Sequence, residues 1–366
     1  MSGISDEEWE KFLRDSEDGA SGSAPKEPSA RARMVTERLR NQGEPEGWRT
    51  GPAWRETDGR AARRRRWWSV LGVAAALGVV AVSLKPSLLP GDPLGAGEPK
   101  AVASPLPAET AAPTGAPGEA PDQVPTLDQP FAGSPALRWA DGEAGIVLPP
   151  AKAVGSASGE RVAQALQLTK KLLVGANLDA KVLRGGRPTA ALSVLDPQQP
   201  EVLDNLNTSL RSPSEKYDPV LLFSRFDPDE VRLVGNVVKT RGHMTVKKGQ
   251  YAGVAVHADY TFVYPVSPAG GSTEVTRTIV RRVIDVELSD PAHFRVTPGR
   301  LVLLAYDQEI GNSACDVYDG FLHPQFDSAD PTGPAPTGPT TDPYDRSKGL
   351  GGAAADSGEC GTVSRV

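Results

Sequence analysis

The sequence predicts an α+β fold: helices packed on a curved antiparallel sheet, preceded by one transmembrane helix and flanked by disordered segments. Three observations predict it. Trp67 to Leu84, WWSVLGVAAALGVVAVSL, holds no ionisable residue, and as a helix it would span about 27 Å, close to the roughly 30 Å of a bilayer's hydrocarbon. Apolar residues recur with a period near 3.6 through Arg161 to Ala176 and again after Pro200, whereas from Glu230 to Glu309 the period is 2. Around these stretches lie segments rich in Pro, Gly, Ala and charge, whose composition cannot bury a core. Helices first and hairpin-linked strands afterwards is the order of a helix layer on one face of an antiparallel sheet.

Residues 1–66 are expected as a cytoplasmic tail, largely disordered, with one short amphipathic helix. Ser5 and Glu8 have capping-box spacing, and Trp9, Phe12 and Leu13 share a helical face. So short a helix needs a surface, either the basic stretch 31–66 or a cytoplasmic protein whose groove takes its apolar face. A second helical piece is expected at Ala30 to Asn41, and Trp48 and Trp54 are exposed tryptophans that seek a partner or the membrane interface. Arg63, Arg64, Arg65 and Arg66 then lead into Trp67 and Trp68, a cationic and indole collar suited to the lipid headgroups.

The 67–84 stretch is read as spanning the bilayer because an interior helix would show a polar stripe, and only Ser69 and Ser83 could supply one. A cleaved signal peptide would need a far shorter basic region, and the twin-arginine reading of Arg65-Arg66 lacks its usual continuation. Residues 1–66 carry 14 Lys/Arg, and past the span only Lys85 precedes Lys100. The positive-inside bias therefore keeps the N-terminus in the cytoplasm and sends residues 85–366 out, a single-pass protein of the cell membrane.

Residues 85–135, with 12 prolines, are expected as a semi-extended spacer. The exported domain is expected over 136–327. Its helix face is Val162, Ala165, Leu166, Thr169, Leu172, Leu173 and Ala176; a short helix follows from Pro188 to Leu195, and another opens at Pro200 and stops at Pro213. Strands are expected at Glu230 to Thr240, His243 to Lys247, Val254 to Val266, Thr273 to Leu288 and Leu301 to Glu309, with a turn at Pro268-Ala269-Gly270-Gly271. Residues 328–366 turn low-complexity again. Cys315 and Cys360 are the two cysteines; on the exported side they pair as a disulfide or stand as two solvent thiols.

The element order over roughly residues 155–325 resembles the NTF2-like cone, or alternatively a cystatin-like sheet. The resemblance implies that helices pack into a curved sheet. The layout of tail with Trp48-Arg49-Thr50-Gly51-Pro52-Ala53-Trp54, arginine run, apolar span and Pro/Ala spacer resembles uncharacterised single-pass membrane proteins of high-GC actinobacteria, a likeness that implies a location and no activity.

For chemistry, no nucleophile elbow, P-loop, dinucleotide fingerprint or zinc motif occurs, so no catalytic, cofactor-binding or metal residue is assigned and no cofactor is expected. The formal charge of −6 splits into about +1 before the span and −7 after it, which argues against nucleic acid. Asp307 to Asn312, with Asp316 and Asp319, is oxygen-rich but lacks the glycine and closing glutamate of a calcium loop, so turn chemistry explains it better. Arg277 and Arg281 are expected on one sheet face and Arg282 on the other, solvated and paired with Glu274, Asp285 and Glu287. If the sheet forms a cup, His257, Asp259 and Arg277 are the acid/base set to test. The expected function is a membrane-anchored, non-enzymatic protein whose exported domain binds an envelope protein or small ligand; an NTF2-like envelope enzyme and a structural envelope protein are the alternatives.

Overall fold

The structure is a computed structural model and describes residues 104–350 and 360–366. The tail helix around Trp9, Phe12 and Leu13, the collar Arg63 to Trp68 and the apolar stretch 67–84 lie outside the described residues.

The expected fold class has to be corrected. Among the described residues no helix is long and apolar enough to cross a membrane. The longest, α1 (Gly159–Asn177), buries Val162, Leu166, Leu172 and Leu173, exposes Glu160, Gln164, Gln167 and Lys171 on its other side, and carries Arg161 and Lys170 between the two. What forms instead is an antiparallel sheet with few helices: α1, the single turns α2 (Ala180–Leu183) and α3 (Thr189–Leu192), and α4 (Pro200–Arg211).

The sheet runs β1 (Ala140–Asp141), β3 (Lys239–Lys248), β4 (Val254–Pro268), β5 (Thr276–Leu288), β6 (Val302–Gly311), and β2 (Val231–Leu233) pairs with the far end of β4. β4 and β5 form the long central hairpin, in register from Val254 opposite Leu288 to Val266 opposite Thr276. The turn between them needs left-handed backbone at Gly270 and Gly271, with φ of 84° and 90°. The expected strand from Glu230 to Thr240 is broken at Gly235, whose φ is 69°, so its first part pairs with β4 as β2 and the main ladder starts at Lys239.

One face of the hairpin is apolar and takes the helices. Val254, Val256, Ala258, Tyr260, Phe262 and Tyr264 alternate along β4 and pack with Val280, Ile284, Val286 and Leu288 of β5 against Leu166, Leu172, Leu173 and Ala176 of α1. Ser158 caps α1 by accepting from Arg161 N. Gly175 lets the α3 turn approach α1 closely, since a Cβ there would meet Ala191 N at 2.7 Å.

The other face is also covered. The described part of the proline-rich stretch has no regular secondary structure before Pro135, as expected of PPII-like chain, yet it lies on the domain instead of standing clear of it as a spacer. Phe131, Ala136 and Trp139 pack with Val263, Ile279 and Tyr344, and Leu106 joins them at the edge. The polar match is specific to proline-rich chain, which offers carbonyls but lacks many N–H donors, whereas arginine carries five donors and no acceptor. Arg241 Nη1 donates to Pro107 O, Arg277 Nη1 to Pro130 O and Ala132 O, and Arg365 to Pro117 O and Gly118 O.

The expected low-complexity tail folds back as well, with Tyr344 and Arg346 buried. β7 (Thr340–Thr341) and β8 (Thr362–Val363) pair in parallel, and Cys315 is bonded to Cys360 across a Cα separation of 5.9 Å. The bond closes a loop of sequence separation 45. Reduction is expected to lower stability by about 2–4 kcal/mol through the freed chain entropy of the unfolded state. Urea midpoints with and without dithiothreitol check this, and equal midpoints would show that the tail contributes nothing.

Candidate functional site

The three sequence-expected acid/base residues share one sheet face but do not converge. Pro265 sits opposite Arg277 and His257 opposite Asp285, which separates His257 from Arg277 by about 26 Å along the strand at roughly 3.3 Å per residue. His257 Nδ1 contacts Asp285 Oδ1 at 3.0 Å, a cross-strand pair at the partly exposed end of the face. Arg277 is buried and spends its guanidinium on carbonyls of the strap, the proline-rich chain 104–135 laid over this face, and on Val366 O. Asp259 is held by Arg281, whose Nε and Nη2 donate to its two oxygens at 3.0 and 2.9 Å.

The expectation of a solvated arginine stripe is overturned. Arg277, Arg281 and Arg282 are each 3 % exposed or less, because the strap and tail cover one face and the helices the other. Their expected partners are engaged elsewhere. Glu274 accepts from Asp327 N and Ser328, and Asp285 faces His257. Glu287 accepts from the backbone N–H groups of Gln250, Tyr251 and Gly253.

Around Asp259 runs a charged seam that pattern reading missed. Glu109 of the strap meets Arg346 of the tail and, at 3.0 Å, Arg241 Nε of β3. His243 Nδ1 lies 3.3 Å from Glu109 Oε1, close enough to act on that carboxylate, although it is poorly aligned for a hydrogen bond and among the described residues has no other partner. Arg346 Nη1 donates to Asp259 O, and Arg281 reaches toward Glu309 at 3.9 Å. Burial by itself would raise the Glu109 pKa, but His243, Arg346 and Arg241 outweigh it and the net shift is downward. For Glu309 burial prevails and the pKa rises. Arg241, Arg281 and Arg346 each face a carboxylate of the chain, so the seam clasps strap and tail.

A partly exposed aromatic surface lies at the end of the hairpin. Glu287 fixes the β3–β4 turn that presents Tyr251. Asp290 accepts from Ala292 N and faces His293 Nδ1 at 3.1 Å, and Phe294 N donates to Asp290 O, so the turn after β5 presents Phe294. The two rings meet edge to face with centroids 5.3 Å apart, and each residue remains 39 % exposed. Beside them is a cleft of about 200 Å³ whose walls include Gln198, Gln199, Ser289 and Arg295. Asp196 joins the walls by accepting from Gln198 N and Thr297 N, and Gln199 clamps the backbone of Leu303 with both ends of its amide.

No family model matches the chain, and neither a curated protein nor a solved structure matches it. Tyr251 follows Gly249-Gln250 and Phe294 follows Pro291-Ala292-His293 in turn-rich sequence; an aromatic residue in each of two loops was the available signal, and their meeting required the hairpin register.

Of the oxygen-rich run, Asp307 to Gly311 belong to strand β6, and turn chemistry holds only for the stretch from Asn312 towards Cys315 and Asp316. Asn312 and Asp316 take positive φ, and the Asn312 amide bonds Thr276 Oγ1, Arg277 O and Gln325 O. Among the described residues no group of three or more His, Cys, Asp or Glu is placed to hold a metal ion.

Proposed function

We propose that this chain is an extracytoplasmic binding module that meets its ligand or partner at the Tyr251–Phe294 rim. The observation that carries the reading is the pair of half-exposed rings at 5.3 Å, each on a turn pinned by a carboxylate, Glu287 for Tyr251 and Asp290 for Phe294, beside a cleft with polar walls. Exposed aromatic side chains fixed before binding lose little conformational entropy on contact. The compartment is supported by the bonded Cys315–Cys360 pair, since such bonds persist where the surroundings are oxidising. The seam around Glu109 and Asp259 holds the scaffold and takes no part in recognition.

A photoreactive phenylalanine analogue placed at Phe294 of the full chain in its native cells tests this, with Val124, an exposed strap residue, as the control position. Adducts are expected from position 294 and not from 124. No adduct at 294, or the same adducts from both positions, would overturn the reading.

A further inference from the structure

The middle of the strap is held by one side chain. No residue from 110 to 130 is buried. Among the described residues, the hydrogen bonds that reach 110–125 from the rest of the domain come from Arg365 alone, whose Nη1 donates to Gly118 O at 3.2 Å and Nη2 to Pro117 O at 2.9 Å. Asp342 fixes that guanidinium by accepting from Nε at 3.0 Å and from Nη2 at 2.6 Å, and the Tyr344 ring lies beneath it. Val366, next in the chain, packs at the edge of the apolar cluster that holds Phe131, and its carbonyl accepts from Arg277. Arg365 is itself lightly anchored. It belongs to the segment 360–366, in which no residue is buried. The β7–β8 ladder is two residue pairs long, too short to be stable alone against the entropy of ordering the segment. The covalent tie is the Cys315–Cys360 bond, which fastens the segment to the turn after β6. Both cysteines are partly exposed, so a thiolate can reach the bond.

We infer that the Cys315–Cys360 bond is a redox latch on the strap: while it is closed, Arg365 clamps the proline-rich stretch 110–125 against the domain, and its reduction lets that stretch lift away while the hairpin and helices stay folded. A dithiol opens the latch. One of its thiolates attacks a sulfur of the pair to form a mixed disulfide, and its second thiolate displaces the protein sulfur; the dithiol leaves as a disulfide, and its two electrons and two protons end on Cys315 and Cys360 as two thiols. Residues 360–366 then have only their few hydrogen bonds to hold them, and Arg365 leaves the strap with them. The two ends of the strap stay in place. Glu109 keeps Arg241 and Arg346, and Phe131 and Trp139 stay packed with Val263 and Ile279. The freed stretch is therefore a loop between two anchors, and reoxidation returns the clamp.

The test is spin-label mobility in the full chain before and after reduction with dithiothreitol. A keto amino acid carrying a nitroxide replaces Ala116, an exposed strap position, and in a separate sample Leu304, an exposed position of β6; the ketone handle leaves the native pair as the only cysteines. Reduction is expected to raise the mobile fraction at 116 severalfold and to leave the label at 304 unchanged, with reoxidation restoring the first spectrum. Arg365→Ala with the bond intact is expected to give the mobile spectrum at 116 without reductant, and dithiothreitol then to add little. Arg365 is only partly buried, so this variant keeps the fold and separates the clamp from the bond that carries it. No change at 116 on reduction would overturn the latch. Equal loosening at 116 and 304 would also overturn it, since the bond would then brace the whole domain. So would an immobile label at 116 in oxidised Arg365→Ala, because the clamp would then not be Arg365.

Discussion

Arg282→Ala is expected to cost about 3–5 kcal/mol of stability, enough to leave a domain of ordinary stability partly unfolded at room temperature. Arg282 is fully buried on the helix side of β5. Its Nε donates to Asn177 Oδ1 at 3.1 Å, Nη1 to Val220 O at 2.6 Å and Nη2 to Ser224 Oγ at 3.3 Å. These acceptors sit at the end of α1 and in the segment after α4, so one side chain ties the helix layer to the central strand. Removing it opens a cavity and strands Val220 O, leaving Asn177 Oδ1 with only the bond it accepts from Ser224 Oγ, and a stranded acceptor costs about 1–3 kcal/mol. Burial pushes the guanidinium down to about 10 despite the opposing pull of Tyr264 and Asp218, so it remains charged at neutral pH. Arg282→Lys is therefore expected to recover the charge but not the stability, because an ammonium at one point cannot reach three separated acceptors. Urea unfolding followed by circular dichroism decides the matter. Wild-type midpoints in both variants would mean that the guanidinium contacts are incidental.

Arg346→Ala is expected to loosen the strap and tail together, with a loss again of about 3–5 kcal/mol, because it leaves Glu109 buried without its closest cation. The Glu109 side chain is 8 % exposed and that of Arg346 3 %. The double variant Arg346→Met with Glu109→Gln should be less damaging than the two removals summed, since neither group is left as a buried charge facing the gap of the other, although Arg241 loses its carboxylate; measured as a cycle, the coupling is expected to exceed about 1.5 kcal/mol.

The pH dependence follows from the direction of the shift. Burial opposes it, but His243, Arg346 and Arg241 hold the folded-state pKa of Glu109 below its ordinary 4.5. The contribution is thus fully present above pH 4.5 and is lost as pH falls through the lower, folded-state value. Glu309 has the opposite sign, because burial raises its pKa; its contribution is present at low pH and fades as pH rises through that raised value. Glu109→Gln should accordingly flatten the loss of stability below pH 4.5. An unchanged acid limb would show that other carboxylates govern it.

Much of the ladder was legible in advance. The 3.6 period over Val162 to Ala176 marks α1 because those side chains form one stripe, and the alternation from Val254 to Tyr264 marks the β4 face that meets it. Pro200 opens α4 at its first position, as a residue without an N–H should. The arginines were read on their correct faces yet given the wrong surroundings. Alternation implies a wet second face, and nothing within Thr276 to Leu288 announces that proline-rich chain will cover it.

The candidate site divides the same way. His257, Asp259 and Arg277 could be placed on one side of the sheet from parity, but parity is silent on distance along the strand. The Tyr251–Phe294 rim depends on which loops the hairpin brings side by side.

Taken by itself, the amino-acid sequence determined the local periods, the helix starts and the turn glycines, because these follow from interactions among residues a few positions apart. Only the tertiary structure decided that the second sheet face is closed, that its arginines answer the carbonyls of a proline-rich strap, and that Glu109 meets Arg346 across 237 residues of chain. Pairings over such separations depend on a loop closure that no local pattern encodes.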